Sequence, residues 1–159
     1  MDKYVIKKIE IEKMEGTDKV HFLNSNAKRT NKSLGDLAGL TGIGFHIIEV
    51  PIGCESTEFH RHHHEDECTY VLSGNGEVLI GEKRTEIGEG DFIGYRAGGL
   101  AHTMINTGNA PLRCIVVGER LPHDVGDYPN QGKRIYRNEG LKWDLVDIAN
   151  IDNPEAGKK

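Results

Sequence analysis

Four of the eight histidines in this 159-residue chain fall within five positions, His60 and His62 to His64. His60 and His62 are two apart, and on a strand that spacing turns both imidazoles to one face. Glu67 stands five residues after His62, so unbroken alternation would send it to the other face. The polar stretch His63-His64-Glu65-Asp66 supplies a turn or bulge, letting a second strand begin at Glu67 and face the histidines. His102 opens a further run, with Met104 and Asn106 on its side. Three neutral imidazoles and one carboxylate converging inside a barrel would make a divalent-metal site. Imidazole suits Zn, Fe, Ni and Cu, the carboxylate extends the choice to Mn, and the lack of thiolates argues against Cu(I) or a cluster.

Such a site needs short strands to position it. From Thr41 to Glu119, β-rich runs recur at 43–51, 57–62, 67–72, 77–81, 91–95, 102–106 and 112–118. Turn residues separate them, and Asn75-Gly76 is the strongest hairpin signal because both residues accept positive φ. Seven short strands without an intervening helical pattern of 10–15 residues predict an antiparallel sandwich or barrel and exclude a parallel α/β sheet. Val5 to Glu12 alternates and reads as a strand. Residues 13–33 are polar and read as an irregular connecting arm, followed by a short helical turn from Ser33 through Ala38. The predicted organisation is one domain: an arm over 1–40, a barrel over 41–120 and an extension over 121–159 packed outside it.

Two stretches are similar to known sequence motifs. Residues 53–74, GCESTEFHRHHHEDECTYVLSG, and residues 90–106, GDFIGYRAGGLAHTMIN, resemble the first and second motifs of the cupin family. The second departs from the usual pattern where Arg96-Ala97 stands in place of a proline and Gly98-Gly99 adds a residue. The resemblance implies an all-β fold, a double-stranded β-helix of jelly-roll type. It also implies metal on His60, His62, Glu67 and His102, and a homodimer. Apolar Tyr70 and Leu72 on the face opposite Glu67 and Val71 also require a cover, from the terminal segments or a second subunit.

Other residues are weaker candidates. His46 shares a face with Ile48 and Val50 and is either a satisfied core histidine or a pocket residue, the one candidate for catalysis. Arg96 is expected near the cavity mouth, where it can grip a carboxylate with two hydrogen bonds. Met104 and Asn106 complete the predicted substrate pocket, and His63 and His64 read as solvated turn residues. His64-Glu65 is not followed by the second histidine of HExxH, and no nucleotide-binding glycine loop or GxSxG elbow occurs.

Composition excludes several partners. A net charge of −5 with no dense Lys/Arg stretch argues against nucleic acid, and no apolar run is long enough to span a membrane. Cys54, Cys68 and Cys114 form no CxxC pair and read as reduced thiols of a cytoplasmic protein. A divalent ion held by one carboxylate keeps net positive charge and open positions, which favour a small anionic or chelating oxygenated metabolite. The expected function is a metal-dependent enzyme of isomerase or oxygenase type. The rival expectation is a non-catalytic small-molecule-binding module.

Overall fold

The computed structural model describes residues 3–157, leaving the two outermost residues of the arm and of the extension outside the described chain. Helix α1 (Lys8–Lys13) opens it and is followed by strands β1 (Thr17–His21) and β2 (Asn24–Ser33) and helix α2 (Leu34–Leu37). Then come β3 (Ile43–Val50), β4 (Arg61–His62), β5 (Glu67–Ser73), β6 (Asn75–Ile80), β7 (Lys83–Gly88) and β8 (Phe92–Tyr95). After β9 (His102–Ile105) and β10 (Leu112–Glu119), the chain ends in β11 (His123–Tyr128), β12 (Lys133–Asn138) and β13 (Asp144–Asp147). The strands form three sheets, β1-β2-β3-β10-β5-β8, β13-β12-β11-β4 and β7-β6-β9. All pairs of named strands are antiparallel, as expected of an all-β barrel.

Alternation along the central strands decides what lies inside. Ile48 and Val50 on β3, Val71 on β5, and Leu112 and Cys114 on β10 join Val78, Ile87, Ile93 and Met104 in one buried cluster. Farther along the same faces the inward positions become His46 and Gly44 on β3, Glu67 on β5, and Val116 and Gly118 on β10. One end of the barrel is therefore filled with apolar side chains and the other is open and polar. Gly44 and Gly118 are cross-strand partners, and Gly118 also pairs with Glu67. Two adjacent inward positions without side chains leave room beside the carboxylate.

Several sequence expectations are corrected. The strand expected over 5–12 is a helix, α1, with no buried residue. The Glu10 carboxylate accepts the Lys7 backbone N–H at 2.8 Å, and this local cap supplies what a sheet partner would have given. The arm expected to be irregular over 13–33 contains the hairpin β1–β2, and β2 pairs with β3 through Thr30–Ser33. Polar side chains concealed it, because backbone pairing needs no apolar residue where one face is wet. The hairpin expected at Asn75-Gly76 is instead the two-residue link Gly81-Glu82, flanked by the pair Ile80 and Lys83. Gly81 has φ 58°, and no non-glycine residue has positive φ among the described residues. Gly76 serves close packing: a Cβ there would stand 2.5 Å from the Ile105 carbonyl oxygen. Strand β7 falls between the runs expected over 77–81 and 91–95. The run expected over 57–62 is paired only at His60 and over β4. Beyond residue 120 lie β11 to β13, and β11 pairs with β4, so this segment belongs to the wall of the site.

Candidate metal centre

The four expected ligands do converge. His60 and His102 face each other in an isolated antiparallel bridge, exchanging backbone hydrogen bonds of 3.2 and 2.7 Å. His62 sits on β4 opposite Gly126, with its Nε2 3.1 Å from His60 Nε2. The turn at 63–66 resets the alternation as expected, so Glu67 enters β5 facing inward, with Oε1 3.6 Å from His102 Nε2. The loop of the second motif locks this arrangement. Gly98 N–H donates to the His62 carbonyl at 2.8 Å, and Ala97 N–H donates to Asp66 Oδ1 at 2.6 Å. Gly98 takes φ 67°, a conformation that the extra glycine permits and a side chain would resist.

Hydrogen bonds beyond the ligands set their tautomers. His62 Nδ1 lies 2.7 Å from Asp124 Oδ2, and His60 Nδ1 lies 2.9 Å from the Glu58 carbonyl oxygen. In each case Nδ1–H donates outward and Nε2 keeps its lone pair for a metal. Burial, reinforced by His102, pushes His60 down to about 3, so it is neutral in ordinary conditions. Burial opposes the charge of Glu67, yet His102, His60 and His62 outweigh it and hold the carboxyl down at about 2. His62 is raised, burial being overcome by its bond to Asp124 and the charge of Glu67. Both nitrogens of His102 are buried without a hydrogen-bond partner, while Tyr95 stacks on its ring at 3.6 Å. An orphaned imidazole beside two Nε2 lone pairs and a carboxylate is a donor set that fits a divalent ion.

A second acidic group, His62 with Glu65 and Asp124, already has its cation: Arg137 bonds both Glu65 and Asp124. This support has no signal in the sequence. Asp124 and Arg137 lie in the punctuated tail, more than sixty positions after the histidine whose orientation they set. His63, expected to be solvated, holds Asp127 at 2.8 Å, whereas His64 is exposed as expected.

The four candidate ligands border a cavity of about 330 Å³ that Met104 also lines. A neighbouring lobe of about 730 Å³ shares Glu67 and His62 with it and reaches His46. His46 is half-buried, with Nδ1 3.1 Å from Ser33 Oγ and 3.2 Å from Asn31 Nδ2. Burial, assisted by Arg120, lowers its pKa. Arg96 and Asn106 line neither lobe. Arg96 is exposed on a third groove, which shares Glu67 and Tyr95 with the cavity. Asn106 is fully buried, its amide donating to Val50 and Ala110 carbonyls at 2.8 and 2.9 Å, so it braces a turn.

A sheet barrel with three imidazoles and a carboxylate at its open end defines the class. The cupin domain model matches residues 46–118, and the chain belongs to the cupin family. A solved structure from Acidithiobacillus ferrooxidans, named as a candidate sugar phosphate isomerase, is 48% identical with a TM-score of 0.92. That likeness covers 96% of this chain and 97% of the other. A cupin from Silicibacter pomeroyi, named as a sugar phosphate isomerase, has a TM-score of 0.79 at 23% identity, covering 87% of this chain and 91% of that one. It shows likeness of fold. An uncharacterised protein of Methanocaldococcus jannaschii is 33% identical over 66 residues, 42% of this chain and 51% of its own. The chain thus spans about half the length of that curated relative.

Proposed function

We propose that this cupin is a divalent-metal-dependent isomerase acting on a small phosphorylated hydroxycarbonyl compound. The observation that carries it is the convergence of His60, His62, Glu67 and His102 at a cavity bordered by basic side chains. The name of the 48%-identical relative supports the substrate class. His60, His62, Glu67 and His102 would hold the ion, which when bound supplies Lewis-acid polarisation of substrate oxygens.

The chain's own residues do the rest. In the tautomer whose Nδ1–H donates to Ser33 Oγ, His46 Nε2 carries a lone pair beside Gly44, where a Cβ would be only 2.9 Å away. With its pKa lowered, His46 is neutral at pH 7 and suited to accept a proton. It takes a proton from the hydroxyl-bearing carbon and returns it to the neighbouring carbonyl carbon, while the hydroxyl proton passes to the former carbonyl oxygen, so that hydroxyl and carbonyl exchange places. Atoms and electrons balance without a co-reactant.

The test pairs elemental analysis with turnover. Protein purified without chelators should hold one divalent ion per chain, and His102→Ala should lose it. Unchanged metal in that variant would refute the site. Metal-loaded protein should interconvert aldose and ketose phosphates, and His46→Asn should lower kcat by about a hundredfold with metal retained. Ligand binding without turnover for any loaded metal would make the protein a binding module.

A further inference from the structure

The cavity is bordered by four long basic side chains, and their partners divide them into two pairs. Arg137 is neutralised by Glu65 and Asp124, and Arg120 bonds Asp36 at 2.6 Å. Lys19 and Arg29 line both lobes and form no ion pair among the described residues. They are direct cross-strand partners in the β1–β2 hairpin. Arg29 is half-buried on the inward face of β2, which also carries buried Ala27 and Asn31. Its one hydrogen bond is donated from Nη1 to the Ser56 carbonyl at 3.1 Å, leaving most of its donors unused.

Like charges set directly opposite on a sheet repel, and burial of an uncompensated guanidinium adds a desolvation cost. Burial lowers the pKa of Arg29, and burial, assisted by the charge of Arg29, lowers that of His21. The carboxylate whose charge counters that burial at Arg29 is Glu67, which the metal site claims. A dianion placed between the two cations would relieve the repulsion and occupy the unused donors.

We infer that Lys19 and Arg29 form the subsite for the phosphate group of the substrate, held by the N-terminal hairpin over the mouth of the barrel. The inference rests on reading the cavity as the site of a phosphorylated substrate. Both residues lie outside the matched cupin segment, 46–118. The barrel thus carries the metal ligands, and the hairpin selects what reaches them.

Calorimetric titration of the metal-loaded protein with inorganic phosphate tests this. Arg29→Gln should weaken phosphate binding at least about tenfold, the loss of a charge-assisted contact, with metal content and melting temperature unchanged. Lys19→Gln should weaken it severalfold, and Lys83→Gln, on an exposed strand away from the cavity, should change nothing. Should Arg29→Gln lose metal or stability, the exposed Lys19 position decides. Equal affinity in wild type and both variants would place phosphate elsewhere and overturn the subsite. Absence of phosphate binding at millimolar concentration, or displacement by equimolar acetate, would also overturn it. Isomerase activity with undiminished phosphate affinity in the variants sinks this inference alone. Selective phosphate loss without turnover on any sugar phosphate sinks only the isomerase reading.

Discussion

Single side chains at the metal centre act through partners that the sequence does not place beside them. Asp124 holds His62 by Nδ1 and is itself held by Arg137 at 2.5 Å. Asp124→Asn should therefore weaken metal binding about 10- to 100-fold, measured by competition with a chromogenic chelator, and unchanged affinity would deny Asp124 this orienting role. Asp127 gathers Arg134, His63 and Arg61. Burial opposes its charge, but those hydrogen bonds hold its carboxyl well below the usual range. The folded state thus binds this proton less readily than the unfolded chain. The stabilisation is complete above about pH 4, where an unfolded aspartate is ionised, and is lost as the pH falls towards the lower folded value. Asp127→Ala should cost about 2 kcal/mol at neutral pH and flatten the acid limb of a melting-temperature profile. A parallel profile in the variant would place the acid sensitivity elsewhere.

Among the elements, β5 to β6 shows how a sheet change is made without a hairpin. β5 belongs to the six-stranded sheet and β6 to the three-stranded sheet, with Gly74 alone between them. Gly74 has φ 85°, and a Cβ there would stand 2.6 Å from the Pro111 carbonyl oxygen. Gly74→Ala should therefore destabilise by about 2 kcal/mol or more, combining backbone strain with a backbone clash. Urea unfolding measures it, and a loss within error would show that the crossover relaxes freely. The Gly74-Asn75-Gly76 run shows why a turn signal can be misassigned. Its glycines answer to a crossover and to close packing against Ile105, and neither requirement is local.

For the whole molecule, the six-stranded sheet leaves apolar side chains outward. Ile43, Tyr70 and Phe92 are exposed, with Cys68 and Val117 beside them along the groove. Among the described residues no terminal segment covers this face, so the expected cover is a second copy of the chain. Light scattering should give a homodimer at micromolar concentration, and Phe92→Glu should dissociate it with little loss of stability. A wild-type monomer would leave this face without its expected partner.

The resemblance to the cupin motifs implied the ligand set; what the residues determined alone was local: strands from period-two alternation, the shared face of His60 and His62, and the turn that resets Glu67. These follow from pleat geometry, which side-chain spacing reports directly. What only the tertiary structure decided was everything brought by pairing between distant strands. Lys19 and Arg29 face the cavity because β2 adds to β3, and Asp124 reaches His62 because β11 adds to β4. Backbone hydrogen bonds make those additions, and they are indifferent to side-chain type. Polar segments such as 17–33 and 123–138 therefore carry no apolar pattern to announce them, although they complete the wall around the candidate metal site.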